Sequence, residues 1–299
     1  MAYYSGAAAS LTALRTALLT HAQADGWVLS GDVLSKAGVF FQITETATNI
    51  SCLGCESNAV ANPAPAAVMI GRIHFRDGYT TREISFPCNY EVFGFAQELY
   101  LLVNYDVSAY QWMAFGKSSV PGLSGQGGWC GATVGGTISS SATSDPIAIT
   151  ATFGGGSWFS GALFFHTQAD STWSRNCWVN HGLDGHGWTY YGLSGDHPIG
   201  IAYASPLIGL QPSVWNSEAT LLPLRVFKLR PSFKASLVID LVNARHIRVD
   251  NFTPGDILTL GADRWKVYPW YIKNSALRNG GTGINHTGTF GWAIRYQGP

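Results

Sequence analysis

The stretch HGLDGHGWTYYGLSGDHP, residues 181–198, sets three histidines and two aspartates among glycines. His181, His186 and His197, with Asp184 or Asp196, are the side-chain types that make a metal or catalytic site. Zinc sites fix their ligands on defined elements, for example two histidines four residues apart on a helix. Here the ligand types fall in a glycine-rich segment with no rigid element to hold them. The reading is turns with exposed histidines, and no metal. An echo of the stretch supports it. GLSGQGGW (122–129) and GLDGHGW (182–188) share a Gly-Leu-x-Gly-x-Gly frame ending in tryptophan. The shared glycines permit positive φ, and the leucine and tryptophan can pin a loop by burial. The polar positions differ: Ser124 and Gln126 stand where the second copy has Asp184 and His186.

The other chemical candidates are thinner. Cys52-Leu-Gly-Cys55 has the CxxC spacing of a redox or zinc motif. A zinc site needs a second such pair or a histidine pair, and a redox site needs a helix N-terminus in a βαβ setting; this motif follows a strand. Two packed small residues beside a turn is the preferred reading. Ser124 and Ser194 lie in Gly-Leu-Ser-Gly, which lacks the final glycine spacing of a nucleophile elbow and its strand–turn–helix frame. No glycine-rich phosphate loop carrying a lysine occurs. Carboxylate pairs for sugar hydrolysis are assembled in space, so a sequence alone leaves them open. Trp158, Trp173, Trp178, Trp188, Tyr190 and Tyr191 admit two readings. They form either a sugar-stacking surface or the filling of β cores and subunit contacts, where aromatics are enriched; the second is preferred. No catalytic residue, cofactor or metal is assigned.

The elements that position these residues are mostly strands. Ser10 can cap a helix whose Leu11, Leu14 and Leu18 recur on one face with Ala22, and Gly26 suits its C-terminus. Short strands are expected at 27–29, 33–34, 39–43 and 49–53. This gives a small N-terminal α+β unit over 1–58, one helix on an antiparallel meander. The Pro/Ala-rich run 59–67 is the linker candidate. From 68 to 299 the signals are almost all β, with 205–220 a second place where the chain could divide. Strands are expected at 68–75, 82–86, 90–93, 99–105, 111–115, 147–153, 158–166 and 199–203. They continue at 221–229, 237–242, 247–249, 257–260, 264–270 and 292–296, and the Ser-rich piece 137–146 reads as an exposed loop. Leu260-Gly261-Ala262-Asp263 is expected to turn one hairpin. Many short strands with Gly/Pro-rich turns favour a mainly β fold, a sandwich or irregular barrel.

Hydrophobic residues are 46% of the 299, aromatics 13% and charged residues only 12%, against about 25% charged in an ordinary soluble domain. Such a surface is poor at keeping copies apart and suits a protein docked in an assembly. Eighteen basic and eighteen acidic residues leave no footprint for nucleic acid. Residues 1–9 lack the basic and apolar regions of a secretory signal, and no uncharged apolar run approaches the ~20 residues of a membrane helix. Five irregularly spaced cysteines argue for reduced thiols made in a cytoplasm.

Three blocks carry a resemblance. Tyr3-Tyr4-Ser-Gly with the leucine-striped helix and Gly26-Trp27 resembles the opening of a family of tailed-bacteriophage virion structural proteins. The stretch LYLLVNYDVSAYQWMAFGKSSVPGL (99–123) resembles their central block. The stretch from GDILTLGADRWKVYPWYIKN to HTGTFGWAIRYQGP (255–299) resembles their C-terminus and is the most specific of the three. The resemblance implies a structural part of the tail, baseplate or tail tip, associating with itself in a symmetric ring and with other tail proteins. It brings no catalytic residues. The expected location is the virion, after synthesis in the bacterial cytoplasm. Alternatives from other classes are a receptor-binding module gripping host surface glycan, a head or neck decoration protein, and a polysaccharide depolymerase. The last would show itself by a cleft with two close carboxylates. Within the C-terminal block, Trp265, Tyr268, Trp270 and Trp292 mark a strand apolar on both faces, as at a structural joint. Pro269 is expected to put that strand on a sheet edge or at a bend.

Overall fold

The chain enters as a strand, not a helix. In the computed structural model, β1 (Ala2–Ala8) precedes α1 (Leu11–Ala24). AYYSGAA is poor in β-formers, so its strand is specified by its partner rather than by local propensity. The structure describes residues 1–71, 73–75, 80–135, 162–164, 176–190, 198–199, 221–232, 234–249, 251–273 and 290–299. The expected strand at 147–153, the loop at 137–146 and the division at 205–220 lie outside them, as do all but 162–164 of the strand expected at 158–166 and all but 199 of that expected at 199–203.

The helix forms as its caps dictate. Ser10 Oγ accepts from the Ala13 amide at 3.1 Å. At the other end Gly26, at φ +85°, lets its own amide reach Gln23 O and the Trp27 amide reach Ala22 O, both at 3.0 Å. This is the paired hydrogen-bond closure that a left-handed glycine permits. Leu14, Leu18, Leu19 and Ala22 are buried on its inner face.

The remaining elements are strands and one 3₁₀ turn. They run β2 (Val28–Ser30), β3 (Val33–Lys36), β4 (Val39–Glu45), β5 (Asn49–Cys55), β6 (Val68–Gly71), β7 (Ile73–Phe75) and β8 (Thr80–Arg82). Next come β9 (Cys88–Gly94), β10 (Glu98–Asp106), β11 (Ala109–Lys117), β12 (Gly128–Ala132), β13 (Val134–Gly135) and β14 (Cys177–Asn180). The 3₁₀ turn Leu183–Gly185 leads to β15 (Trp188–Tyr190) and β16 (Pro198–Ile199). The chain closes with β17 (Leu222–Arg230), β18 (Lys234–Arg248), β19 (Ile257–Leu260), β20 (Asp263–Pro269) and β21 (Phe290–Arg295).

The fold is mainly β, built from three large antiparallel sheets and a two-stranded β7–β8 ribbon. The central sheet is ordered β1-β9-β10-β11-β12-β14-β15, the meander sheet β13-β6-β5-β4-β3-β2, and the C-terminal sheet β16-β17-β18-β21-β20-β19. The central sheet is covered on both faces. Leu99, Leu101, Val103, Met113 and Phe115 join α1 and the meander sheet in one core, whereas Tyr100, Leu102, Trp112 and Ala114 join the C-terminal sheet in another. Burial on both faces is why β10 and β11 read as continuous apolar runs rather than alternating ones. The stretch 59–67 connects β5 to β6, which are hydrogen-bonded neighbours, Asn49 opposite Gly71 through Cys52 opposite Val68.

Two C-terminal details differ from the sequence reading. The strands expected at 237–242 and 247–249 are one strand, β18, whose residues 242–244 bulge between the pairs Leu224–Leu241 and Pro223–Arg245. β20 is not an edge strand, because β21 and β19 flank it. Its pairing with β19 runs only from Asp263 to Lys266, so Pro269 sits past the end of that ladder, opposite Gly291 on the other side. Proline is tolerated where no partner needs its missing N–H.

Candidate functional site

The two echoed glycine loops touch each other. Gly125 N donates to His181 O at 3.1 Å, Gly127 N to Asn180 O at 2.9 Å, and Ser124 Oγ to Gly182 O at 2.9 Å. The approach is so close that a Cβ on Gly182, itself at φ +67°, would lie 2.0 Å from Gly125 N. Glycine is required on geometric grounds here. Glu56, just past β5, ties both loops down. Its Oε1 accepts from Asn180 Nδ2 at 2.8 Å, its backbone carbonyl from Gln126 Nε2 at 2.9 Å, and its Oε2 from Asn62 Nδ2 at 2.8 Å. Arg230 of β17 clamps the second loop through Asp184, with Nη2 to Oδ1 at 2.8 Å and Nε to both oxygens. That hydrogen bonding holds the Asp184 carboxyl below its ordinary range.

The histidines of this segment are not all exposed. His181 is fully buried, and its Nδ1 accepts from the Leu183 amide at 2.9 Å. Burial, helped by the Lys228 charge, pushes it down to about 4, so the ring is neutral. The expectation of a solvated loop histidine is corrected for this position: its ring folds back to shape the turn. His186 is partly exposed, and His197 and Asp196 lie outside the described residues. Among the described residues no three His, Cys, Asp or Glu side chains gather as a metal-binding group. Among the described residues the site is a three-loop platform of glycines and amides joined by hydrogen bonds. It can position a surface. Gly182→Ala is expected to cost about 2–4 kcal/mol through clash and backbone strain. Gly187→Ala, where an added Cβ meets nothing within 4 Å, should be silent. Thermal unfolding of the two variants checks this, and equal melting temperatures would sink it.

Cys52 and Cys55 both lie inside β5 rather than beside a turn after it, and both are buried. Burial pushes both thiols up, which makes them poor nucleophiles. All five cysteines are buried and free.

Of the six aromatics singled out above, three lie in described segments. Trp178 is buried in the core with Tyr190 edge-on at 5.7 Å. The benzo edge of Trp188 lies so close to Gly54 that a Cβ there would sit 2.3 Å from the indole. Trp158, Trp173 and Tyr191 fall outside the described residues. No protein-family model matches the chain, and no curated protein matches it.

The C-terminal aromatics divide between two faces. Tyr268, Trp270 and Trp292 enter the core shared with the central sheet, while Trp265 packs with Ile247, Val267 and Ala293 on the opposite face. There Arg245 and Arg295 lie over the Trp265 ring, 5.3 and 5.9 Å from its centre. An open cleft of about 210 Å³ between the Ala262–Arg264 turn and the Arg295–Gln297 tail holds two arginines. Both are committed: Arg264 donates to Gly298 O, and Arg295 pairs with Asp263.

Two polar clusters escaped the sequence reading. Glu91 Oε2 accepts from Tyr3 OH at 2.6 Å, from Tyr268 OH at 2.7 Å, and from Lys266 Nζ. Glu98, in the central sheet, bonds across to the C-terminal sheet through Asn243. The available signal was a carboxylate set in an otherwise apolar strand, NYEVFG for the first and ELYLLV for the second.

Proposed function

We propose that this chain is a structural component of a tailed-phage virion, placed in the tail, baseplate or tail tip. It works through self-association in a symmetric ring and through contacts with other tail proteins. The three sequence blocks support the class. The observation that carries the mode of action is the outward side of the C-terminal sheet. Phe227 and Leu229 project on that side from β17 and Leu260 from the end of β19, while Ile257, opposite Lys266, is exposed on the other side of β19; each is between 37% and 45% exposed. β19, Ile-Leu-Thr-Leu, is, among the described residues, a terminal strand of its sheet with no charge of its own. An uncharged apolar edge is a template for pairing unless an assembly covers it.

Sedimentation velocity of the purified protein at micromolar concentration should show oligomers. Thr259→Lys, which sets a charge on the exposed edge strand, should shift them toward monomer. A monodisperse monomer at high concentration would overturn the self-association reading. Purified particles lacking the chain, by peptide mass spectrometry, would overturn the virion reading independently.

A further inference from the structure

Glu98 opens β10 and is 4% exposed. Its Oε2 accepts from Tyr100 OH and from Asn243 Nδ2, each at 2.8 Å. Tyr100 lies on the same strand, but Asn243 belongs to the bulge of β18, so one carboxyl bridges the central and C-terminal sheets. The bulge is shaped by Arg245, whose Nη1 donates to Leu241 O and Ala244 O. The neighbouring pins between these layers are neutral: Ser118 Oγ donates to Val238 O at 2.6 Å and Ser119 Oγ to Asp240 O at 3.0 Å.

The surroundings of Glu98 hold few charges. β10 contributes Tyr100. β11 contributes Gly116, where an added Cβ would lie 3.2 Å from Glu98 Cγ. β18 contributes Asn243, Arg245 and Asp240, the last paired with Arg225 of β17 at 3.4 Å. Arg245 acts on Glu98 through space: its Nη1 donates to backbone carbonyls and its guanidinium carbon lies 5.3 Å from the centre of the Trp265 ring.

We propose that Glu98 is a proton-operated latch between the central and C-terminal sheets: its neutral carboxyl holds the β18 bulge in place, and its ionisation loosens it. A neutral carboxyl accepts both hydrogen bonds at no cost of buried charge. An ionised one keeps them but has no cation bonded to it, which is costly in the interior. Burial accordingly pushes the group from 4.5 up to about 7, against the opposing pull of Asn243, Tyr100 and Arg245. The closed junction thus binds the proton more tightly than an opened one. Protection is greatest in acid and falls as pH rises from the exposed value to the buried one. Between pH 5 and pH 8 the Glu98 contribution raises the opening equilibrium roughly 70-fold. His246 on β18 works the other way: burial holds it down at about 3, so an opening that exposes it is favoured by acid.

The test is hydrogen exchange of peptides spanning 234–248, in the wild type and in Glu98→Gln, at pH 5 and pH 8. Glutamine keeps an acceptor and cannot ionise, so the ratio of wild-type to variant opening cancels the His246 contribution. That ratio should rise roughly 70-fold from pH 5 to pH 8. A ratio unchanged with pH overturns the latch. Should the variant not fold, infrared titration of the wild type decides, since the carbonyl stretch of a protonated buried carboxyl should vanish with a midpoint near 7. Its loss below pH 5 would overturn the proposal equally.

Discussion

Trp292→Ala is expected to remove about 3–5 kcal/mol of folding stability, the range for truncating a fully buried tryptophan. The position justifies the upper part of that range. The ring is 0% exposed and lies between layers, with Trp270 at 4.8 Å, Trp112 at 5.3 Å and Tyr100 at 5.7 Å between ring centres. Its removal therefore opens a cavity bounded by rigid aromatics of both sheets, which collapse poorly into it. A domain's whole stability is roughly 5–15 kcal/mol, so the variant should unfold at much lower denaturant or fail to accumulate. Trp265→Ala should cost less. That ring belongs to the smaller outer cluster, roofed by two arginines whose side chains can settle over the gap. Urea unfolding of both variants measures the difference. Equal and small losses would show that the C-terminal sheet is not the joint between layers.

The sequence made local features readable and left distant ones hidden. The helix and both of its caps follow from Ser10, the leucine spacing and Gly26, all acting within a few residues. The β19–β20 hairpin follows from Gly261-Ala262 in the same way, with Leu260 opposite Asp263 as expected. β12 and β14 were missed because their β character comes from position. GWCGA carries two glycines that a free strand would disfavour. In the sheet, a Cβ on Gly131 would lie 2.9 Å from the Leu163 side chain and 3.0 Å from the Cys177 sulfur of the paired strand, so glycine suits the tight packing there. The echoed loops were visible as a repeated frame, but no spacing says that one copy lies against the other. His181 was misjudged for a related reason. A histidine beside glycine reads as solvated, and only the fold turns its Nδ1 onto the Leu183 amide. The aromatic pattern showed how much ring surface must be buried, while the choice between core and ligand platform rests on contacts such as Trp188 against Gly54.

Glu91→Ala should be about as damaging as Trp292→Ala, for a different reason. Glu91 stands on β9 and gathers donors from both ends of the chain, Tyr3 on β1 and Lys266 and Tyr268 on β20. The Lys266 ammonium also lies among three rings, 5.0 Å from Tyr3, 5.4 Å from Tyr296 and 5.9 Å from Tyr268. Burial would pull this lysine down, but its hydrogen bonds to Glu91 and Tyr3 leave it above its ordinary value. Burial and the Glu91 charge likewise push the Tyr268 hydroxyl up, so it serves as a donor throughout the neutral range. Removing the carboxylate leaves a largely buried cation and two hydroxyls without their acceptor, a loss of about 3–5 kcal/mol. The damage should be local first: among the described residues β1 is an edge strand paired with β9 alone, so loss of the Tyr3 bond should speed proteolytic cleavage near the N-terminus. The double variant Glu91→Leu with Lys266→Met separates the causes, because replacing both charges of such a pair by apolar groups is often neutral. Recovery of the melting temperature in the double variant would assign the loss to the stranded lysine. If the single variant unfolds and is cleaved like the wild type, Glu91 is not what fastens the first strand to the last sheet.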